Sequence, residues 1–278
     1  MSLPYAHAFA VDAIDDAIAC YRAHGFAILR GLASPDVLDD LRRAVEHVLG
    51  AQPPAHNLTT PEFVERSPLA LRVLDIEGYL DLNARLLGTR ELTIHRSFAV
   101  LKNGGSEAVA WHRDYHHLDS AGPTEPDQFL DPGDHGARML WYLDGSHPDE
   151  GGLWVIPDSH RDDWPGLSGF AFTPGRKSFH RVGEPAVECT SFDAPHMFPL
   201  RVDPGDLLLY SLRTYHGAAA QPSGRRRACA VLLRPTFPAL EVPWAQPESS
   251  RRFLDALPER YRSFGRNYVG IDYRWRAS

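Results

Sequence analysis

The chain of 278 residues has few cysteines, and this scarcity excludes two ways of stabilising a fold. Its three cysteines, Cys20, Cys189 and Cys229, are odd in number, lie far apart and form no C-x-x-C pair. They therefore do not indicate a disulfide framework or a zinc ribbon. A chain of this length buries a core large enough to fold without such crosslinks. We expect a protein of a reducing, cytoplasmic compartment.

Long apolar runs and an excess of positive charge are also missing. No run of about eighteen apolar residues occurs, and the first ten residues lack the basic start and apolar centre of a secretory signal. Lysines and arginines number 29 against 36 acidic residues, a net charge of −7, so the average surface repels phosphate backbones and anionic lipid. We therefore expect a soluble, unprocessed protein that binds neither nucleic acid nor membranes. Nothing in the sequence indicates an oligomeric state.

The remaining pattern divides the chain into a helical part and a strand-rich part. Apolar residues that recur every three to four positions predict helices over 11–24, 35–49, 69–87 and 248–263. Short apolar runs bounded by Gly, Pro, Asp and Ser predict strands over 26–29, 91–101, 138–143, 153–156, 206–212 and 228–234. The 23 prolines and 22 glycines are dispersed, which is typical of many short elements joined by turns.

This order of elements predicts a mainly β fold with flanking helices. Since no helices separate the strands after residue 91, an antiparallel barrel or sandwich is favoured over a parallel sheet. We expect a single domain over 1–278. Its predicted parts are a helical N-terminal part (about 11–88), a strand core (about 91–235) and a C-terminal extension (236–278). The long connections 115–137 and 161–200 are expected to carry function.

The chemistry is concentrated in the stretch Trp111-His112-Arg113-Asp114-Tyr115-His116-His117. Residues two apart on a strand point to the same face, so His112 and Asp114 can direct a nitrogen and an oxygen to one point. His216, which follows a predicted strand, is the best-placed third ligand, although spacing alone also allows His116 and His117. Two imidazoles and one carboxylate on one face suit non-haem Fe(II) with open positions for substrate and oxygen.

Three successive arginines, Arg225, Arg226 and Arg227, open the apolar strand that begins at Ala228. An arginine that enters a buried strand is costly unless it meets an anion, and its planar fork suits a carboxylate. We expect one of the three to bind an anion and at least one to lie in an exposed turn. Alternation does not choose between Arg226 and Arg227, because the residues on both faces of the strand are apolar.

These motifs, taken in order, resemble one enzyme family. Trp-His-x-Asp at 111–114, Gly-Gly-Leu-Trp-Val-Ile-Pro-Asp-Ser-His at 151–160, Pro-Gly-Asp at 204–206 and His-Gly at 216–217 are similar to the phytanoyl-CoA dioxygenase-like (PhyH) superfamily of Fe(II)/2-oxoglutarate oxygenases. The resemblance covers about residues 20–235. It implies a double-stranded β-helix (jelly-roll, cupin-like) core and His112, Asp114 and His216 as catalytic iron ligands. It also implies Arg226, or alternatively Arg227, as the 2-oxoglutarate-binding residue.

The resemblance further implies that the chain oxidises a small molecule or secondary metabolite, with release of succinate and CO2. Hydroxylation is favoured over halogenation because Asp114 fills the position that is a small residue in halogenating relatives, and desaturation or cyclisation stays open. Relatives often have a hydroxyl residue where this chain has Ala218, so Ser223 or another group is expected to replace it.

Six side chains near the metal motif are candidates for contact with substrate. They are Arg113, Tyr115, His116, His117, Arg138 and Trp141. If Arg138 and Arg234 point inward, the substrate carries a carboxylate or phosphate. The alternative functions are a cupin-like isomerase or hydrolase that uses zinc or manganese without 2-oxoglutarate, and a jelly-roll binding module that is not an enzyme.

Overall fold

The computed structural model describes residues 2–52, 57–114, 123–130, 137–174 and 176–276. Its α-helices are α1 (Ile14–His24), α2 (Pro35–Leu49), α3 (Phe63–Arg66), α4 (Glu77–Leu87), α5 (Pro126–Leu130) and α6 (Glu248–Asp255). Short 3₁₀ helices span Pro68–Asp75, Pro148–Glu150 and Glu259–Gly265. The strands are β1 (Ala8–Phe9), β2 (Phe26–Leu29), β3 (Asn57–Pro61), β4 (Leu92–Asn103), β5 (Val109–His112), β6 (Ala137–Tyr142), β7 (Leu153–Val155), β8 (Phe170–Phe172), β9 (Phe179–Arg181), β10 (Phe198–Pro199), β11 (Leu207–Ser211), β12 (His216–Ala218) and β13 (Arg225–Pro235).

Two open sheets form the centre of the fold. The larger has the strand order β1-β2-β11-β6-β13-β4-β3, and the smaller has the order β10-β7-β12-β5. All their neighbouring pairs are antiparallel except the short pair β1–β2. The sheets face each other across a cavity lined by both. The predicted mainly β, jelly-roll fold with flanking helices is confirmed.

Helices cover the outer face of the larger sheet. The indole of Trp141 on β6 is fully buried there and contacts the ring of Tyr79 on α4, with 5.7 Å between centroids. The Tyr79 hydroxyl donates a hydrogen bond to the Val231 carbonyl of β13. Because β6 alternates, the side chains of Arg138, Leu140 and Tyr142 point the other way, into the cavity.

Three predicted elements differ from those observed. The helix expected over 69–87 is a 3₁₀ helix followed by α4, because Ile76 between them has extended backbone angles. The helix expected over 248–263 ends at Asp255 and is followed by a separate 3₁₀ turn after Pro258. The connection 161–200 contains the hairpin β8–β9 and strand β10.

A tight turn after α1 fixes the segment that leads into β12. Gly25 ends the helix at φ +83°, a left-handed conformation that glycine adopts without strain, as the helical pattern predicts. The Gly25 carbonyl accepts hydrogen bonds from the Ser211 amide and the Thr214 hydroxyl, both at 2.8 Å. The N-terminal part is thereby joined to the residues just before His216.

Candidate active site

The three predicted metal ligands meet because β5 and β12 pair side by side. His112 ends β5, His216 begins β12, and the two residues stand opposite each other in the antiparallel register. Their ring centroids lie 4.3 Å apart. Asp114 follows β5, and its Oδ1 lies 3.9 Å from Nε2 of His112 and 4.0 Å from Nε2 of His216. All three ligand atoms lie within 4.8 Å of one another, a spacing that can hold a metal ion.

Backbone carbonyls orient both imidazoles toward this point. Nδ1 of His112 lies 2.7 Å from the Ala110 carbonyl, and Nδ1 of His216 lies 3.0 Å from the Thr214 carbonyl. Nδ1–H is therefore the donor in each ring, and the lone pair is on Nε2, which faces Asp114. Metal-ligating histidines are usually held by such a hydrogen bond from the other ring nitrogen.

Asp114 is held with one carboxylate oxygen toward the histidines. Its Oδ2 accepts hydrogen bonds from Nε of Arg138 at 3.0 Å and from the Tyr210 hydroxyl at 3.3 Å. Burial of Asp114 opposes ionisation, but the Arg138 charge and hydrogen bond, together with the two nearby imidazoles, outweigh it and hold the pKa of Asp114 well below its usual range. Asp114 is thus ionised, with Oδ1 available as a ligand.

His216 is kept neutral by its surroundings. Its burial and the nearby His112 ring lower its pKa to about 4. A neutral imidazole is the form that binds a metal. The Tyr215 amide next to His216 donates a hydrogen bond to the Ser159 hydroxyl at 2.8 Å, so the Pro-Asp-Ser-His turn supports the ligand from behind.

The triad lies in a cavity of about 540 Å³ between the two sheets. Most of its wall is apolar, formed by side chains of both sheets: Phe98, Val100, Val109, Leu140, Leu153, Ala218 and Ala228. Its size is in the range of small-molecule sites, and a mostly apolar wall with a few polar groups is typical of them.

Two buried cations line the cavity away from the triad. Arg226 lies over the Tyr142 ring, 5.1 Å from its centroid, and donates a hydrogen bond to the Ser146 hydroxyl at 3.0 Å. Lys102, which is paired with Arg226 across β4 and β13, donates to the Ala219 carbonyl at 2.5 Å. Burial, and to a lesser extent the Arg226 charge, lowers the pKa of Lys102 to about 8.

Neither cation forms an ion pair with a carboxylate of the described residues, although Lys102 is only 2% exposed and Arg226 9%. A buried charge without a counter-charge is costly, so this end of the cavity is built for an anion. Sequence reasoning missed Lys102, because a lysine near the end of a predicted strand reads as a solvated residue. Only the pairing register places it beside Arg226.

Arg227 points away from the cavity. Its guanidinium forms two hydrogen bonds with Asp144, Nε to Oδ2 and Nη2 to Oδ1, each 2.8 Å long. Arg225 is exposed and contacts Glu46, as expected for one of the three arginines. Of the two arginines proposed for the anion, the structure therefore directs Arg226 to the cavity.

The other sequence candidates have different places. Arg138 lies in the cavity, on Asp114. Arg113 lies outside it, 5.1 Å from the centroid of the Tyr215 ring. Trp141 was expected to contact substrate, but it lies on the helix-covered face of β6 and packs against Tyr79 instead. Tyr115, His116 and His117 are outside the described residues.

Ser223, which was considered as a replacement for the hydroxyl missing at Ala218, is in the turn before β13. Its carbonyl accepts a hydrogen bond from the side-chain amide of Gln221. The hydroxyl that contacts Arg226 belongs to Ser146 instead, which also accepts a hydrogen bond from the Leu153 amide at 2.9 Å.

A jelly-roll core with two histidines and one aspartate on one face is the arrangement typical of iron- and 2-oxoglutarate-dependent oxygenases. The sequence profile of phytanoyl-CoA dioxygenase (PhyH) matches residues 21–229. The chain belongs to this family. No curated protein matches the sequence significantly.

Solved structures share the fold at low sequence identity. HygX from Streptomyces hygroscopicus, with nickel and 2-oxoglutarate bound, is 18% identical at a TM-score of 0.59, covering 92% of this chain and 95% of HygX. The epimerase SnoN, in complex with Fe3+, alpha ketoglutarate and nogalamycin RO, is 17% identical at a TM-score of 0.57, covering 96% and 95%. EvdO2 from Micromonospora carbonacea var. aurantiaca, complexed with 2-oxoglutarate, is 21% identical at a TM-score of 0.55, covering 77% and 87%.

In the part of the chain that is described, no helix has both the length and the apolar composition needed to cross a membrane.

Proposed function

We propose that this protein is a non-haem Fe(II)- and 2-oxoglutarate-dependent oxygenase that hydroxylates a small molecule. One observation carries the proposal. A His-Asp-His triad lines the same cavity as two buried cations, Lys102 and Arg226, which meet no carboxylate among the described residues. A metal explains the first feature, and a co-substrate with a distal carboxylate explains the second.

The triad and the buried cations would bind different groups in the cavity. His112, Asp114 and His216 would hold Fe(II), and the remaining face of the metal would stay open toward the cavity. Arg226, supported by Ser146, would hold the distal carboxylate of 2-oxoglutarate.

Lys102 would add a second positive charge to that carboxylate. When bound, iron and 2-oxoglutarate supply O2 activation for the oxidation of a C–H bond, with succinate and CO2 as co-products.

Asp114 favours hydroxylation over halogenation. Its Oδ1 is directed at the two histidine Nε2 atoms, while Arg138 and Tyr210 hold its Oδ2. A carboxylate fixed in this way would occupy the metal position that a halide ion needs. Desaturation, cyclisation or epimerisation of the substrate would use the same ligands, so the mass of the product distinguishes them from hydroxylation.

The test begins with the anaerobically iron-loaded protein and measures 2-oxoglutarate binding by calorimetry and succinate release after O2 is added. A compound library then identifies the molecules that stimulate release. A gain of one oxygen atom in the library compound supports hydroxylation. A loss of two hydrogens indicates desaturation or cyclisation, and an unchanged mass indicates epimerisation.

Asp114→Ala is expected to abolish high-affinity iron binding and succinate release together, because it removes one of three ligands. Asp163→Ala is the matched control, since Asp163 is an exposed aspartate that pairs with Arg161. If the wild-type protein binds the metal but neither binds nor consumes 2-oxoglutarate, the oxygenase proposal fails, and the isomerase or hydrolase alternative takes its place.

We also propose that the chain works as one catalytic domain in a reducing, cytoplasmic compartment. The three cysteines are free and buried, which suits a protein that never forms disulfides.

A further inference from the structure

The cavity has a second end, and a different part of the chain builds it. Arg96, Phe98, Val100 and Lys102 alternate along β4 and all line the cavity, so Arg96 lies about 20 Å from Lys102 along the strand. Beside Arg96, the cavity is lined by Tyr273, and the positive charge of Arg96 acts on the Tyr273 hydroxyl. Among the described residues after Thr236, Tyr273 alone lines this cavity.

The C-terminal extension is packed so that Tyr273 has a fixed position. Trp244 and Ile271 are buried in an apolar cluster with Leu130 of α5. The Trp275 ring lies 5.7 Å from that of Trp244, whose indole nitrogen donates a hydrogen bond to the Gly270 carbonyl at 3.2 Å. Tyr273 therefore lies between two anchored residues of the extension.

The same cluster fixes α5, which lies in the connection that follows the metal motif. The Phe129 ring of α5 contacts Trp275, with 5.1 Å between centroids. Asp127 of α5 forms an ion pair with Arg96 at 2.8 Å. We call the group formed by Arg96, Asp127 and Tyr273 the mouth. It joins β4, α5 and the C-terminal extension at one place.

Charge balance distinguishes the mouth from the end formed by Lys102 and Arg226. The positive charge of Arg96 is balanced by Asp127, and that of Arg138 by Asp114. Arg234 does not line the cavity and donates its hydrogen bonds to backbone carbonyls, including that of Asn267 at 2.5 Å. The expectation that Arg138 and Arg234 select a carboxylate or phosphate on the substrate is therefore not supported.

What the mouth does offer is hydrogen bonding next to an apolar wall. The Arg96 guanidinium is a donor beside the Tyr273 hydroxyl and cannot accept its proton, so Tyr273 can donate that proton to another acceptor. Thr59 on β3, which is paired with Val100, also lines the cavity, and Phe98 continues the apolar wall toward the triad.

We propose that Tyr273 is a substrate-binding residue and that the mouth selects a neutral molecule with an apolar carbon framework and oxygen acceptors at its outer end. This inference rests on the proposed function, because the mouth serves the substrate only if the other end holds 2-oxoglutarate. It assigns the C-terminal extension, which lies beyond the part of the chain that matches the family, a role in specificity.

The experiment uses the iron-loaded full chain with 2-oxoglutarate and a panel of compound pairs. Each pair is a neutral oxygenated ring compound, such as a glycoside or a hydroxylated ketone, with its carboxylated counterpart. We expect the neutral members to stimulate succinate release. Tyr273→Phe should raise their KM about five- to tenfold with little change in kcat, as the loss of one hydrogen bond to substrate predicts.

Tyr261→Phe is the matched control, since its hydroxyl donates to Asp75 at 2.8 Å and the residue does not line the cavity. Succinate release without any panel compound should be equal in the wild type and in Tyr261→Phe. If the wild type consumes no 2-oxoglutarate, the proposed function has failed. If it does, the assignment of the mouth is overturned by any of three results: only carboxylated members stimulate release, no member does, or Tyr273→Phe has the KM of the wild type.

Discussion

Substitution by methionine should have opposite effects at Arg226 and at its neighbour Arg227. At Arg226 it should weaken 2-oxoglutarate binding and spare the stability of the fold, and at Arg227 it should do the reverse. In Arg226→Met, a long side chain still fills the space beside Tyr142, but the charge is gone. Since removing one member of a buried charge pair costs about 2–4 kcal/mol of binding energy, 2-oxoglutarate should bind about 30- to 1000-fold more weakly. Lys102 remains in the cavity, so some attraction for the carboxylate is retained.

The same substitution should not destabilise the protein in the absence of 2-oxoglutarate. No described carboxylate pairs with Arg226, so no buried counter-charge is left behind when the guanidinium is removed. The lost hydrogen bond to Ser146 is offset by the lost cost of burying a cation. We expect the free energy of unfolding to stay within about 1 kcal/mol of the wild type or to rise.

Arg227→Met is the matched control on the next residue of β13. It removes two hydrogen bonds to Asp144 and leaves that carboxylate with Arg42 as its remaining ion-pair partner, so the free energy of unfolding should fall by about 1–3 kcal/mol. The affinity for 2-oxoglutarate should be unchanged. Calorimetric titration of the metal-loaded variants and urea unfolding of the apo proteins measure both quantities. Equal loss of 2-oxoglutarate affinity in the two variants would refute the assignment of Arg226.

Three other predictions concern single residues. Affinity for 2-oxoglutarate should fall as the pH rises through about 8, because Lys102 loses its positive charge above its lowered pKa, and titrations of Lys102→Met should lack this dependence. Gly25→Ala should destabilise the fold and weaken iron binding in metal titrations, because a Cβ there would lie 2.4 Å from the Thr214 hydroxyl oxygen, next to the carbonyl that orients His216. Trp141→Leu should lower the free energy of unfolding by about 2–4 kcal/mol and leave the substrate KM unchanged, since the indole is fully buried away from the cavity.

Two of the three proposed metal ligands could be predicted from the sequence because they depend on local geometry. His112 and Asp114 lie two apart at the end of a strand, and alternation places them on one face whatever the rest of the fold does. The prediction of His216 needed a further argument, since its position opposite His112 depends on the pairing of β5 with β12. Its place after an apolar strand and before the arginine-led strand made it the best-placed candidate, although spacing alone also allowed His116 and His117, and the family resemblance completed the choice.

Sequence reasoning misplaced residues whose role depends on which face of a strand points into the cavity. Strand β6 is apolar along most of its length, so alternation did not show that Trp141 faces the helices while Arg138 faces the cavity. Tyr273 was missed for another reason. It comes from a segment without a strand pattern, and only the packing of Trp244 and Trp275 brings it to the cavity.

Charge balance, rather than residue type, distinguishes Arg226, the proposed 2-oxoglutarate-binding residue, from the arginines that hold parts of this site in place. Arg138 and Arg227 each meet a carboxylate of the protein, so each is already satisfied and holds an element in place. Arg226 and Lys102 are as deeply buried but meet no described carboxylate, and their burial is costly until an anion arrives. Under the proposed function, binding of the co-substrate would supply the counter-charge that these two cations lack among the described residues. The substitutions at Arg226 and Arg227 measure this difference.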